Sequence, residues 1–244
     1  MSQSEQPVFE GILLIDKPKG ITSHDIVDRV RRKLHIKRVG HAGTLDPMAT
    51  GLVIILVGKA TKASQYLMGM DKTYEGTILL GKNTNTHDAD GTITQERPVP
   101  ELAEAQILEV LKSFEGDQYQ TPPMFSAKKI DGVPLYKLAR KGQEVEREAR
   151  LIHIYGFELD EWHAPDKIDF TVACTKGTYV RTLAHEIGEK LGCGAHLISL
   201  NRTDIEKFKI EDSVRLEDFE KMETQDIQRI LIPQYRAIPS NVLK

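Results

Sequence analysis

The sequence predicts an α+β fold in which helices flank a mixed, largely antiparallel central sheet. Two observations support this class. Runs with strand character occur in pairs joined by turn-forming residues, and segments with helical periodicity are mixed among these pairs. No internal repeat is present, and the chain of 244 residues, 40% of them hydrophobic, is long enough to bury a full core.

The N-terminal elements begin with an apolar run, residues 11–15, which ends in the turn-forming sequence Asp-Lys-Pro-Lys-Gly and predicts a buried strand. A helix capped by Thr22 or Ser23 should follow, because apolar residues recur at helical spacing while basic residues occupy the other face. The apolar positions are Ile26, Val27, Val30 and Leu34. Residues 36–50 are rich in Gly, Pro and small polar residues, and a second apolar run follows at 52–57. We therefore expect an irregular loop between rigid elements, where catalytic residues are often found.

The later elements follow from the same patterns. Alternating apolar residues predict a half-buried strand at 74–80, and Asp90-Gly91 is a hairpin signal within the turn-rich connection that follows. The remaining predicted elements are a helix at 102–114, strands at 151–159 and 168–174, and a helix at 180–191 that ends at Gly192.

Residues 120–150 do not fit this regular pattern. They have weak periodicity, two consecutive prolines at 122 and 123, and seven basic residues against four acidic ones. We interpret them as a mobile lobe inserted into the main body of the fold.

Charge is segregated along the chain, although its net charge is only −3. Residues 29–38 contain six basic residues and no acidic one, whereas residues 204–226 contain nine acidic and four basic residues. Basic segments of this kind can bind a polyanion, or they can simply be solvated surfaces. The charges alone leave both interpretations open.

Several classes of protein are excluded by missing motifs. The N-terminus lacks a basic region followed by an apolar run, and no apolar stretch is long enough to cross a membrane, so we expect a cytoplasmic protein. Cys174 and Cys193 stand in no Cys/His cluster, which argues against a zinc site or a disulfide framework. A phosphate-binding loop at Gly58 is excluded because Val53 stands where a glycine is required. We expect neither a metal nor a cofactor.

The segment Gly40-His41-Ala42-Gly43-Thr44-Leu45-Asp46-Pro47-Met48-Ala49-Thr50-Gly51 contains the main catalytic candidate, Asp46. The following proline disfavours a helical backbone for Asp46, so the carboxylate sits on a stiff, extended segment. By itself, Asp-Pro is mostly a turn signal, and the residue types alone do not establish a catalytic role.

This twelve-residue segment closely resembles the active-site signature of the bacterial tRNA pseudouridine synthases that modify the T loop. The resemblance covers essentially the whole chain. Four further segments are similar to motifs of the family and occur in its order: Lys17-Pro-Lys-Gly-Ile-Thr-Ser23, Lys72-Thr-Tyr-Glu-Gly76, Cys174-Thr-Lys-Gly-Thr-Tyr-Val-Arg-Thr-Leu183 and Ser199-Leu-Asn-Arg-Thr203. The chain stops soon after Tyr235, where many family members add a small RNA-binding domain.

The resemblance implies the fold and the domain organisation. We expect the pseudouridine synthase fold as one catalytic domain over residues 1–244, with residues 120–150 as a thumb-like lobe that clamps RNA. We expect no separate C-terminal RNA-binding domain. The implied partner is the T arm of tRNA, and we expect a monomer without an obligate protein partner.

The resemblance also implies catalytic roles. Pseudouridine formation is an isomerisation, which agrees with the missing cofactor motifs, and it needs an ionised carboxylate beside the sugar. Asp46 matches the nucleophile, and Arg181 matches the cation that keeps its carboxylate ionised. Tyr74 matches the residue that stacks on the uracil and helps with the C5 proton. As a bare residue on an alternating strand, Tyr74 is also a core candidate.

Further residues are expected to bind the substrate. His41 matches the residue that fills the gap left by a flipped base, and Tyr179 and Leu200 match residues that line the pocket, although bare residues of these types are more often core. The basic residues expected to contact the RNA backbone are Arg32, Lys128, Lys129, Arg140 and Arg202.

Three functions follow from this reasoning. The first is conversion of uridine 55 in the tRNA T loop to pseudouridine. The second is the same isomerisation on another RNA, although guide-dependent relatives normally have additional binding segments. The third is an RNA chaperone; the intact set of Asp46, Tyr74 and Arg181 argues against a purely inert binder but is compatible with chaperone activity beside catalysis.

Overall fold

A computed structural model describes residues 9–126, 129–130, 132–139 and 141–239. These residues divide into two compact units, unit 1 formed by residues 9–70 with 202–239 and unit 2 formed by residues within 71–201. Two residues predicted to contact RNA, Lys128 and Arg140, lie outside the described residues, as does the side chain of Lys129.

The first elements of unit 1 are β1 (Gly11–Lys17), α1 (Ser23–Leu34), β2 (Val39–His41), β3 (Thr50–Val57), a 3-10 helix (Gly58–Ala63) and α2 (Ser64–Met68). Strands β1 and β3 pair antiparallel, and β2 pairs with β3 on the opposite side from β1. All residues from Leu52 to Val57 are 0% exposed, as expected for a continuous apolar strand covered on both faces.

Helix α1 begins where the sequence predicts it. The Thr22 hydroxyl accepts a hydrogen bond from the Asp25 amide at 3.1 Å, and the Asp25 carboxylate accepts one from the Thr22 amide at 2.7 Å. This capping box satisfies amides of the first turn that have no partner within the helix. The apolar face predicted for the helix is buried.

The elements of unit 2 are β4 (Lys72–Leu80), β5 (Lys82–Thr84), β6 (Ile93–Glu96), α3 (Glu104–Lys112), β7 (Gly116–Gln120), β8 (Lys129–Ile130), β9 (Val133–Pro134), α4 (Leu135–Ala139), β10 (Arg150–His163), β11 (Lys167–Cys174) and α5 (Val180–Lys190). Strands β4, β11, β10 and β7 pair antiparallel in that order. Helix α3 packs on β10 and α5, which buries the apolar face of the sheet. The hairpin predicted around Asp90-Gly91 is confirmed by the pairing of β5 with β6.

Strand β12 (Ala195–Ile205) begins in unit 2 and ends in unit 1. The last elements are β13 (Phe208–Lys209), a 3-10 helix (Ile210–Asp212), β14 (Val214–Arg215), α6 (Leu216–Lys221), α7 (Thr224–Ile230) and α8 (Gln234–Ala237). The pairing of β1 with β14 is parallel, whereas the pairs already described are antiparallel, so the prediction of a mixed, largely antiparallel α+β fold is confirmed.

Two strands differ from the sequence-based prediction. Strand β2 lies inside the segment predicted to be an irregular loop, because the backbone of Val39, Gly40 and His41 pairs with β3. Strand β7, with the sequence Gly-Asp-Gln-Tyr-Gln, lacks an apolar pattern and forms by pairing with the long strand β10. In both cases an available neighbouring strand determines the structure, rather than the propensity of the short segment itself.

Candidate active site

In unit 1, Asp46 lies on the loop formed by residues 42–49, between β2 and β3. The Ala42 amide donates to the Ile54 carbonyl of β3 at 2.9 Å, which fixes the first end of the loop, and the Ala49 amide donates to the Asp46 carbonyl at 3.1 Å, which closes a turn within it. Gly43 has a φ of 104°, a backbone conformation that side chains rarely allow. The Asp46 side chain is half-buried, so the loop holds a carboxylate close to the surface.

The Lys17 side chain supports this loop through hydrogen bonds to backbone carbonyls. It is 0% exposed, and its ammonium group donates to the carbonyls of Pro18 (3.0 Å), Ile21 (2.9 Å) and Pro47 (3.3 Å). Burial lowers the pKa of Lys17 to about 8, and the nearby carboxylate of Asp46 opposes that shift. A buried cation thus lies near the carboxylate and bonds the residue that follows it.

Ser23 and Arg202 hold other parts of the same loop. The Leu45 amide donates to the Ser23 hydroxyl at 2.9 Å, and the Arg202 guanidinium donates to the carbonyls of Leu52 (2.8 Å) and Thr44 (3.4 Å). Arg202 is only 1% exposed. The contact with RNA predicted for Arg202 would therefore require the residues around it to move, because the side chain is buried and two of its nitrogens already bond these carbonyls.

His41 lies at the end of β2, immediately before the loop. It is half-buried, its Nδ1 atom has no hydrogen-bond partner, and burial lowers its pKa. A neutral imidazole at this position can stack on or insert beside a base without bringing an additional charge.

The basic surface of unit 1 lies on α1. Arg29, Arg31 and Arg32 line a surface cavity of about 720 Å³, together with Ile21, Asp25 and Asp28. Arg31 is bound within the protein, since it donates to Asp28 at 3.0 Å and to the Val39 carbonyl at 2.8 Å. Arg32 is exposed, which fits its predicted contact with the RNA backbone.

In unit 2, Arg181 lies in the first turn of α5 and its side chain is 4% exposed. One terminal nitrogen donates to the Thr86 carbonyl at 3.0 Å and lies 3.6 Å from the buried carboxylate of Asp88. The other donates to the Phe125 carbonyl. The guanidinium is therefore held in one orientation by a carboxylate and two carbonyls.

Tyr179 lies at the N-cap of α5, next to this cluster. The Gln120 side chain accepts from the Tyr179 amide at 2.8 Å and donates to the Tyr179 carbonyl at 3.1 Å. The centre of the Arg181 guanidinium lies 5.8 Å from the centroid of the Tyr179 ring. The two predicted residues are thus brought together, and a cation faces an aromatic ring.

Tyr74 and Leu200 lie on β4 and β12. Tyr74 is 8% exposed and Leu200 is half-buried. The two strands approach closely near Gly76, where an added Cβ would lie 2.7 Å from the Ser199 carbonyl oxygen. The glycine of the motif thus allows the strand with Tyr74 to lie against the strand with Leu200.

The predicted residues are divided between the two units. Unit 1 contains Asp46, His41, Arg32 and Arg202, and unit 2 contains Tyr74, Tyr179, Arg181 and Leu200. The ion pair expected between Asp46 and Arg181 stays a prediction. Sequence reasoning assigned no role in the site to several residues that fix it: Lys17, Ser23, Thr86, Asp88 and Gln120.

Of these residues, Asp88 has the clearest signal in the sequence. It belongs to Asp88-Ala-Asp90-Gly91, which fails as a calcium loop because Thr86 stands at the first ligand position and Arg97 at the position of the bidentate glutamate. In the structure the Asp88 carboxylate accepts from the Thr86 hydroxyl at 2.5 Å and from the Asp90 amide at 3.1 Å. A local turn and a buried arginine thus explain the motif.

A metal-ligating arrangement in the described part of the chain consists of Glu161, His163 and Asp169, at the ends of β10 and β11. His163 already pairs with Asp169 at 2.9 Å and with Glu161 at 3.5 Å. These surface ion pairs account for the cluster without a metal ion. Within the same described residues, no helix has the length and apolar character needed to cross a membrane.

Comparisons with known proteins identify the family. The model of the TruB family pseudouridylate synthase N-terminal domain matches residues 31–180, and that of the tRNA pseudouridylate synthase B C-terminal domain matches residues 181–238. A tRNA pseudouridine synthase B from Opitutus terrae is 58% identical, over 96% of this chain and 97% of that protein. A protein of the same name from Cronobacter sakazakii is 48% identical, over 89% of this chain and 70% of that protein.

Solved structures agree with this result. The crystal structure of a Cbf5-Nop10-Gar1 complex contains a chain that matches 93% of this protein with a TM-score of 0.74 and 29% identity. A structure of an H/ACA RNP bound to a substrate RNA containing 2'-deoxyuridine matches with a TM-score of 0.70 and 27% identity. This chain spans about three fifths of those chains, 61% and 60%. The sequence motifs, the fold and both family models agree: the chain belongs to the TruB family of pseudouridylate synthases.

Proposed function

We propose that this protein converts uridine 55 in the T loop of tRNA to pseudouridine, with Asp46 as the nucleophile and without a cofactor. The observation that supports this most directly is the half-buried Asp46 carboxylate on a loop fixed by the buried cations Lys17 and Arg202. Relatives named tRNA pseudouridine synthase B contribute the substrate class.

The reaction breaks the bond between ribose C1′ and uracil N1, turns the ring, and joins C1′ to C5. The C5 proton leaves and N1 gains one, so the product is an isomer of the substrate. Asp46 stabilises or captures the electron-poor C1′ or assists release of the base. Attack at C1′, attack at the base and removal of a sugar proton all use the same ionised carboxylate.

Lys17 and the loop geometry serve this chemistry. The buried ammonium group lies near the Asp46 carboxylate and attracts its negative charge. The loop hydrogen bonds hold the carboxylate in place before substrate binds, which lowers the entropic cost of reaching the reactive geometry.

The remaining predicted residues bind and orient the nucleotide. Tyr74 stacks on the flipped uracil, Tyr179 and Leu200 line the pocket, and His41 fills the gap left in the stack. Arg181 supplies positive charge near the reacting group, and its expected pairing with Asp46 stays a prediction.

The T arm is bound through its backbone. Arg32 lies exposed on α1, and Lys128, Lys129 and Arg140 belong to the basic lobe formed by residues 120–150. This lobe closes over the T arm, because RNA loops are recognised by shape and backbone contacts as well as by stacking. The protein acts in the cytoplasm as a monomer, within one catalytic domain and without an obligate protein partner.

The first experiment is Asp46→Asn, assayed on a T-arm stem-loop. The change removes a charge and little volume, so pseudouridine formation should be lost while RNA affinity stays within a few-fold. Asp212→Asn is the matched control, since Asp212 is an exposed carboxylate in the same unit. Turnover of Asp46→Asn near the wild-type rate would refute the nucleophile assignment.

The substrate is tested by mapping pseudouridine in total RNA from a strain that lacks the gene. We expect loss at tRNA position 55 and restoration by the wild-type chain but not by Asp46→Asn. Loss confined to another RNA would favour the second function, and an RNA folding defect with unchanged pseudouridine would favour a chaperone.

A further inference from the structure

Two histidines of unit 2 form a stacked pair close to Arg181. The ring centroids of His87 and His185 lie 4.2 Å apart, and the ring planes differ by 6°. Both side chains are half-buried, and the Nδ1 atom of each is buried without a hydrogen-bond partner. The rings are therefore held by packing against each other rather than by hydrogen bonds at these nitrogens.

His87 belongs to the segment that holds Arg181. The residue before it supplies the Thr86 carbonyl and the residue after it supplies the Asp88 carboxylate, two of the three groups that hold the guanidinium, at 3.0 and 3.6 Å. His87 itself has a φ of 65°, a conformation that few residues other than glycine adopt without cost. Its carbonyl accepts from the Leu197 amide at 3.0 Å, which fixes the backbone at this strained position.

His185, the residue that stacks on His87, lies on α5. It stands four residues after Arg181, so both side chains project from the same face of the helix. Arg181 binds the segment on either side of His87, and His185 packs on His87 itself. The helix thus holds this segment through two neighbouring contacts.

We propose that the stacked pair of His87 and His185 positions Arg181 for catalysis; this rests on the proposed function, in which Arg181 serves the reaction. The stack sets the position of the Thr86 carbonyl and the Asp88 carboxylate relative to α5. These two groups in turn set the orientation of the guanidinium. Neither histidine contacts the substrate in this role.

The charges around the pair are compatible with a neutral stack. Burial lowers the pKa of His87 to about 3, and the positive charges of Arg181 and Arg147 act in the same direction. Burial also lowers the pKa of His185, opposed by Glu189 and assisted by Arg97. Glu189 is itself paired with Arg97 and accepts from Asn83. A neutral imidazole packs beside the Arg181 guanidinium without electrostatic repulsion. A protonated imidazole would add a positive charge there and repel the guanidinium.

The proposal predicts a specific pattern of kinetic constants on the T-arm stem-loop. His185→Ala and His87→Asn remove the stack and should lower kcat about tenfold while KM changes less than about twofold, because a misplaced Arg181 affects the transition state more than binding. Asparagine suits position 87 because it tolerates a positive φ. His185→Phe keeps an aromatic ring and should retain kcat within about twofold of the wild type.

His163→Ala is the control, since His163 is an exposed histidine of the same unit whose ion pairs lie at the surface. Its kcat should equal that of the wild type. Unchanged kcat in His185→Ala would overturn the proposal. Loss in His185→Phe as large as in His185→Ala would also overturn it, because the imidazole itself and not the stack would then be required.

NMR titration of the histidine rings in the wild-type chain tests the stack without an activity assay. Both rings should titrate below the ordinary pKa of about 6.5, and each should shift when the other is replaced. Independent titration of either ring at its ordinary pKa would overturn the proposal even if a variant failed to fold. An inactive wild-type chain would instead refute the proposed function, and the titration would still decide whether the stack exists.

Discussion

The Asp46 loop of unit 1 and the Arg181 cluster of unit 2 use buried cations in different ways. In unit 1, Lys17 and Arg202 bond loop carbonyls and support a separate functional group, the Asp46 carboxylate. In unit 2, the buried cation is itself the proposed functional group, held by Asp88 and two carbonyls. In unit 1, the supporting residues and the functional residue are different side chains, so mutation can test them separately. In unit 2, the buried cation is also the functional residue, so a mutation that disturbs it should change stability and activity together.

The largest effect on stability is expected at Asp88 in unit 2. Asp88→Ala removes the buried carboxylate that lies 3.6 Å from the Arg181 guanidinium, and breaking a buried ion pair costs on the order of 3 kcal/mol. We expect both a lower free energy of unfolding, measured by urea denaturation, and a kcat about 100-fold lower. Asp90→Ala is the control, because the Asp90 side chain is exposed. A normal kcat together with reduced stability would show that support and function are separable in unit 2 as well.

Lys17 should give the next largest effect, and mainly on stability. Lys17→Met removes the donor shared by the carbonyls of Pro18, Ile21 and Pro47, so the free energy of unfolding should fall by on the order of 2 kcal/mol. Lys19→Met provides a matched control two residues away, since Lys19 is exposed and should change stability by less than about 0.5 kcal/mol. Equal stability of the two variants would contradict the supporting role of Lys17.

The sequence predicted the regular elements of both units well, for a physical reason. Strand β3 and helices α1 and α5 have apolar patterns that match their periods, so burial alone determines their type. Strands β2 and β7 lack such a pattern and form because a longer strand offers pairing partners. Periodicity in a single segment contains no information about that partner.

In the candidate site, too, the sequence predicted some residues and missed others. Asp46, Tyr74 and Arg181 belong to motifs and were named from the sequence. Their supports were not, because a bond such as that from Lys17 to the Pro47 carbonyl joins residues that the fold brings together from distant parts of the chain. The stack of His87 on His185 is the extreme case, since it depends on ring positions across the tertiary structure.

An effect of similar size on stability is expected from pH, and it should arise in unit 2. The pKa of His87 is about 3 in the folded chain and about 6.5 in the unfolded chain, so the unfolded chain binds more protons between these values. The contribution of His87 to the free energy of unfolding is therefore fully present above pH 6.5 and is lost as the pH falls toward 3. By pH 5 the free energy of unfolding should have dropped by on the order of 2 kcal/mol relative to pH 8.

His87→Asn should remove that part of the pH dependence, measured by urea denaturation at pH 5 and pH 8. His163→Asn, a change at an exposed histidine, should leave it in place. If both variants kept the wild-type pH dependence, another group would be responsible for it.

The smallest effects concern RNA binding by the basic residues of α1 and of the segment 120–150. Replacing Lys128, Lys129 and Arg140 with glutamine should lower T-arm affinity and flatten its salt dependence, by a slope of about 0.7 to 0.9 for each phosphate that is no longer neutralised. Arg32→Gln changes an exposed residue on α1 and should flatten the salt dependence by at most the amount expected for a single phosphate.

Arg202→Gln should instead lower stability and leave the slope of the salt dependence unchanged, because Arg202 is 1% exposed and bonds the Thr44 and Leu52 carbonyls. A flatter slope in Arg202→Gln would mean that Arg202 reaches phosphate in the complex. The residues that bury Arg202 would then have to rearrange when RNA binds, since its side chain is only 1% exposed in its present position.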